Sequence, residues 1–319
     1  MNSAEVSPVV APKAADFDPL RITGVIPAML TPMTANGDID ERGIRSLVRY
    51  LMSHGVNGVF VLGSSGEFSF LLPEERASVI RIVVDEVGGR LPVLAGVSDS
   101  GTKRVIENVK VAADAGADVA VALPPYYMGS TQSELQRHYA AILEATELPI
   151  LLYNNPLSVG VSIPVELVES LAEHDRIVGI KDSSGDFTYF RRLLARLSAR
   201  PRFRVVQGHE GLAAVSFLLG AHAGHLGLAN VVPSLFVELY EAASAGDTRR
   251  ALELQDEVDA LSLMWSVGGP TDSSYLNSMK AALALLGVCG SGVSVPYQPL
   301  SADEVGHVRR ILVAHGLLS

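Results

Sequence analysis

Gly24-Val25-Ile26-Pro27-Ala28-Met29-Leu30 runs straight into Thr31-Pro32-Met33. The first seven residues are almost all apolar, the pattern of a strand buried on both faces of a parallel sheet. The turn after this strand decides between two α/β folds. A doubly wound nucleotide-binding sheet turns at this point on a glycine-rich G-x-G-x-x-G loop. Thr31-Pro32-Met33 contains no glycine, which favours a (β/α)8 TIM barrel.

Beyond this first strand lie seven more short apolar runs, at 58–62, 92–97, 118–123, 149–153, 177–181, 204–207 and 223–228. Amphipathic segments with helix-start signals separate them. Pro73-Glu74-Glu75 opens one, Ser100 to Thr102 precedes another, and Thr131 with Glu134 makes a capping box ahead of Leu135. Eight strand–helix units of roughly 28 residues each match the rhythm of a barrel. The barrel is expected over 21–245, after a disordered or extended tail at 1–20. Three helical patterns around 247–265, 274–286 and 302–316 then form a C-terminal helical extension over 246–319.

The composition narrows the class. Of 319 residues, 48% are hydrophobic, enough to fill a large core and exclude wholesale disorder. The net charge is −10 and no basic run occurs, which speaks against nucleic acid or an anionic membrane as partner. Cys289 is the single cysteine, so neither an internal disulfide nor a multi-cysteine metal site is available, as suits a reducing compartment. Residues 1–20 lack the basic and apolar regions of a signal peptide, and no uninterrupted apolar stretch reaches the roughly 18 residues of a membrane span. A cytoplasmic enzyme or binding protein is expected.

In a barrel of this kind, reactive side chains sit where strands end. Lys181 follows Ile177-Val178-Gly179-Ile180, so its stem starts inside a buried strand. A buried, unpaired ammonium is costly and tends to lose its proton, and a neutral amine is what a Schiff-base catalyst needs. The plainer alternative is a lysine that snorkels or pairs with Asp182. Gly63-Ser64-Ser65-Gly66 offers two hydroxyls and exposed N–H groups that can cradle an anion, although ordinary βα turns use the same residues. Tyr153 brings a phenol to the mouth, either as a proton relay or as packing. Three such signals on one face supply an amine, a relay and an anion cradle.

With these motifs assembled, the chain resembles the dihydrodipicolinate synthase / N-acetylneuraminate lyase family of class I aldolases. The resemblance rests on G-S-S-G-E at 63–67, P-P-Y-Y at 124–127, Y-N-N-P at 153–156 and G-I-K-D-S at 179–183. It extends from Gly24 and Thr31-Pro32 to Lys280-Ala281-Ala282-Leu283 and Pro296-Tyr297-Gln298-Pro299-Leu300. It implies a pyruvate-like 2-oxo acid joined to Lys181 as an imine, with Tyr153 shuttling protons and no cofactor. Ser64 would connect Tyr153 to Tyr127 reaching in from a neighbouring subunit of a homotetramer, a dimer of dimers. Ser65, flanked by Gly63 and Gly66, would hold the substrate carboxylate, and Gly208 and the backbone of His225 would line the pocket.

Departures from the family pattern bear on the substrate. Synthases of the family carry an arginine five residues after the relay tyrosine, for the second substrate's carboxylate; here the residue is Ser158. A serine supplies no cationic fork. The cradle threonines are both serines, and Phe68 stands where lysine-regulated members have a small polar residue. The expected activity is aldol cleavage of a 4-hydroxy-2-oxo acid or a 2-keto-3-deoxy sugar acid. The rivals are 4-hydroxy-tetrahydrodipicolinate synthase activity and a non-catalytic keto-acid sensor. His209, His222 and His225 invite a metal reading, but 222 and 225 are an odd number apart on an expected strand and should face opposite ways. No metal is expected.

Overall fold

The computed structural model describes residues 17–267, 269 and 271–319. The expected tail therefore lies outside the described residues as far as residue 16. Phe17 is already buried, and Pro19–Arg21 form a 3-10 turn with Asp18 accepting from the Leu20 N–H.

The barrel has eight short strands: β1 (Gly24–Val25), β2 (Val59–Val61), β3 (Val93–Gly96), β4 (Val119–Ala122), β5 (Ile150–Asn154), β6 (Ile177–Asp182), β7 (Arg204–Gln207) and β8 (Ala223–Gly224). From β2 to β8 each pairs in parallel with its sequence neighbours, and β1 pairs with β8. The ring closes through a bridge between Ala28 and Phe60, where the Phe60 N–H donates to Pro27 O at 3.0 Å and Met29 N–H to Phe60 O at 2.8 Å. This is the barrel read from the sequence.

The first and last strands, β1 and β8, are cut to two residues each, well short of their apolar runs. Beyond β1, the Ala28 N–H still donates to Leu226 O at 3.2 Å on the β8 side, while Pro27, which has no N–H, offers the β2 side only its carbonyl. After β8 the chain winds into a 3-10 turn, Leu228–Asn230. There Asn230 donates to Ala28 O and Gly227 O and accepts from the Leu30 N–H, tying the end of the barrel to its beginning.

The outer layer comprises α1 (Glu41–Ser53), α2 (Pro73–Val87), α3 (Thr102–Asp114), α4 (Gln132–Ala145), α5 (Pro156–Val159), α6 (Val165–Leu171), α7 (Phe187–Leu197), α8 (Ala213–Leu218) and α9 (Pro233–Ser244). The capping box at Thr131 and Glu134 starts α4 as its sequence requires. In α1, Ile44, Leu47, Val48 and Leu51 recur at helical spacing and all point into the core.

The extension is α10 (Thr248–Ser262), α11 (Asp272–Leu285) and α12 (Ala302–Ala314). While α10 packs on α9, α11 lies across the mouth of the barrel, with Tyr275 and Leu276 lining the cavity that Lys181 faces. Among the described residues no helix is long and apolar enough to cross a membrane.

Candidate active site

The sheet register brings the site together. Tyr153 pairs with Lys181, Lys181 with Val206, and Val206 with Ala223. Paired residues of a parallel sheet share a face, and side chains alternate along each strand. Gly208 and His225, each two residues beyond its paired neighbour, therefore point into the barrel beside Lys181 and Tyr153. The cavity they share has a volume of about 780 Å³, and Ser64, Ser65 and Ser158 also line it.

Lys181 is 3% exposed, and no carboxylate among the described residues meets its amine. Its Nζ lies 4.3 Å from the centroid of the Tyr153 ring and 4.9 Å from that of Phe60. Asp182, the plainer partner considered from the sequence, turns the other way. It accepts from Asn154 Nδ2 at 2.8 Å and from the backbone and hydroxyl of Ser184. Gly208 leaves the amine its space, since a Cβ there would stand 2.7 Å from Lys181 Cε and 2.1 Å from Ser183 Oγ.

The Tyr153 hydroxyl lies 3.4 Å from Ser64 Oγ and accepts from Asn155 Nδ2 at 3.3 Å. Burial, the largest single influence, pushes the phenol's pKa up, but the charge on Lys181 and hydrogen bonds with Ser64, Ser183 and Lys181 together outweigh it. The phenol is held below its ordinary value, which suits it to give and take a proton. In the 63–67 loop, Gly66 N–H and Glu67 N–H close the turn onto Gly63 O and Ser64 O. The N–H groups of Ser64 and Ser65 donate to no acceptor among the described residues. They remain available to an anion, together with the Ser65 hydroxyl.

Tyr127 is not brought to this cavity. It is 93% exposed, sits in the left-handed region at φ 77°, and lines a separate depression with Met128 and Val161. His225 is buried against the Phe60 ring, centroids 5.5 Å apart, with both ring nitrogens unpaired among the described residues. Burial, and then Lys181, hold its pKa well below the usual histidine value, so the ring is neutral. His222 faces outward, as the odd spacing requires, and its Nδ1 accepts from the Val205 N–H at 3.0 Å. His209 stands at the cavity rim. No three His, Cys, Asp or Glu side chains are grouped to hold a metal ion among the described residues.

Residues 21–315 match the model of the dihydrodipicolinate synthetase family. The chain belongs to this family. A 4-hydroxy-tetrahydrodipicolinate synthase of Methanopyrus kandleri is 37% identical over 301 residues, covering 93% of this chain and 98% of the relative. The dihydrodipicolinate synthase structure from Bacteroides thetaiotaomicron superposes with a TM-score of 0.88 at 35% identity, covering 92% of this chain and 98% of that one. YagE of E. coli K12, a family member solved in complex with pyruvate, gives 0.87 at 32% identity, over 92% and 99% of the two chains. The chain is accordingly a lyase of the class I aldolase type.

Several residues of this dihydrodipicolinate synthetase family member escaped the sequence reading. Phe60 backs Lys181, Tyr153 and His225, and nothing in its strand sets it apart from a core phenylalanine. Asn155 links the Tyr153 hydroxyl to Ser158 Oγ, the latter at 2.9 Å, and stands inside the Y-N-N-P motif. Glu210 is buried at the cavity wall. It accepts from Gly227 N–H at 2.8 Å and from the Tyr275 hydroxyl at 2.9 Å, while Trp265 packs on the Tyr275 ring. The contact with Tyr275 joins the barrel to the extension across 65 residues of sequence, where no local signal exists.

Proposed function

We propose that the chain cleaves a 2-oxo acid through an imine on Lys181, as a pyruvate-releasing aldolase for a 4-hydroxy-2-oxo acid or a 2-keto-3-deoxy sugar acid. The observation that carries this reading is the placement of the Lys181 amine against the Tyr153 phenol, with no carboxylate partner among the described residues, in a cavity that also holds Ser64 and Ser65. The substrate carboxylate sits on the N–H groups of Ser64 and Ser65. Lys181 attacks the C2 carbonyl, water leaves, and the iminium becomes an electron sink. Tyr153 takes the proton of the C4 hydroxyl as the C3–C4 bond breaks, releasing an aldehyde and leaving an enamine. Protonation at C3 and hydrolysis return pyruvate and the free amine.

The synthase reading has support in the names of relatives such as that of Methanopyrus kandleri. Against it, Ser158 occupies the place where a cation would receive the second carboxylate. Lys181 is the only lysine or arginine lining the cavity among the described residues. An aldehyde without a carboxylate fits these surroundings better. Tyr127, exposed with Met128 beside it, supports an assembly in which a second copy covers this patch and receives the phenol, within the homotetramer the resemblance implies.

Borohydride reduction in the presence of pyruvate is expected to leave one mass adduct, mapped by peptide digestion to Lys181. An active enzyme that stays unmodified refutes the imine. A screen of 2-oxo acids coupled to pyruvate detection then identifies the substrate. Efficient condensation of pyruvate with aspartate semialdehyde, with kcat/KM in the range of about 10⁴–10⁸ M⁻¹s⁻¹, would overturn the choice of aldolase over synthase.

A further inference from the structure

Glu67 closes the loop that carries Ser64 and Ser65, lies at the wall of the cavity, and turns its carboxylate to the extension. It is fully buried and forms an ion pair with Lys280 of α11, which is 1% exposed. Lys280 Nζ also donates to Gly292 O at 2.9 Å, and the Ser294 N–H donates to Glu67 Oε2 at 3.3 Å. One carboxylate thus joins the loop to α11 and to the strap beyond that helix.

The loop needs such a hold. Leu62 on its near side and Glu67 at its far end both adopt left-handed backbone, at φ 57° and 55°. Neither is a glycine, and such residues persist in that region only where their surroundings fix them. Charge gives a second reason. A bare carboxylate two residues from Ser65 would repel the anion that the loop is built to receive, and the Lys280 ammonium cancels it.

We propose that Glu67 and Lys280 are positioning residues for substrate binding: through their ion pair the C-terminal extension sets the geometry and the charge of the carboxylate cradle. The inference rests on the imine reading above. It assigns the extension a share in pyruvate affinity, exerted through the loop that carries Ser64 and Ser65.

The test measures the pyruvate concentration that half-saturates borohydride trapping, a quantity independent of how much of a sample is folded. It is read for the unsubstituted protein, for Lys280→Arg, and for the double variant Glu67→Gln/Lys280→Met, which leaves no buried charge unpaired. In the double variant half-saturation should rise at least about tenfold, with the adduct at saturation still on Lys181, the signature of lost binding rather than lost chemistry. Lys280→Arg, which keeps the charge, should stay within about threefold of the unsubstituted protein. No adduct on the unsubstituted protein refutes the imine reading itself. A normal adduct with unchanged half-saturation in the double variant overturns the positioning role and leaves the ion pair a matter of stability. If neither variant folds, the pair is a stability element and the proposal falls with it.

Discussion

Lys181 at the end of β6 and Lys280 in the middle of α11 are both almost wholly buried, yet their surroundings differ in kind. Lys280 meets Glu67 and a backbone carbonyl, so its charge is answered on the spot. Lys181 meets the faces of two aromatic rings. A buried ammonium is tolerated when an anion and hydrogen-bond acceptors surround it; left without a carboxylate, it is poised to react. Burial alone therefore does not mark a catalytic residue. On the proposed reading, the missing counter-charge does.

Making the same substitution at both sites puts that distinction under the greatest load. Lys181→Met should cost at least about 10⁴-fold in turnover, the order expected when a covalent nucleophile is lost. Its thermal midpoint should stay level or rise, because no partner is left uncompensated. Lys280→Met should instead lose about 3–5 kcal/mol of stability, since Glu67 is then a buried charge without a partner. Calorimetry alongside a pyruvate-release assay reads both. Equal destabilisation by the two substitutions would erase the contrast.

His138 offers a third buried group, one held without charge. It lies between α3 and α4, with Nδ1 2.9 Å from Thr102 Oγ1, and burial lowers its pKa to about 4. The folded value lies below the ordinary 6.5, so the unfolded chain takes the proton first. The contribution is present above about pH 6.5 and is lost as pH falls toward 4, by about 3 kcal/mol in all. Denaturant midpoints of the unsubstituted protein and His138→Asn should converge over that interval. A constant difference between them would show that His138 does not titrate with unfolding.

A milder substitution probes the relay next to Lys181. Tyr153→Phe should leave the fold intact and reduce turnover about 10²-fold, the scale of general acid–base help. Turnover near that of the unsubstituted protein would remove the phenol from the mechanism and leave its ring as mere packing for the amine.

The barrel and the residues on its strand ends were legible because each carries a local signal. Apolar runs mark the strands, and Lys181, Tyr153 and the serines of the 63–67 loop stand at their ends in recognisable surroundings. Contacts that depend on distant chain were not legible. Glu67 read as the last letter of a loop motif and Lys280 as part of a helical pattern, and only the fold shows that they meet. Tyr275 reaching Glu210 belongs to the same kind. Tyr127 marks another boundary: its place in the P-P-Y-Y motif was legible, but the chain leaves it in solvent, away from the cavity of Lys181.

Phe60 gives the site a direction of traffic. Its fully buried ring stands behind Lys181, Tyr153 and His225, so that side of the reaction chamber is walled off. Tyr275 and Leu276 of α11 line the same cavity from the side of the extension. On the proposed reading, the fragment joined to Lys181 enters first and leaves last, and the aldehyde departs before it. That order would come from the imine itself, and the Phe60 ring fixes only the side on which the chamber is closed.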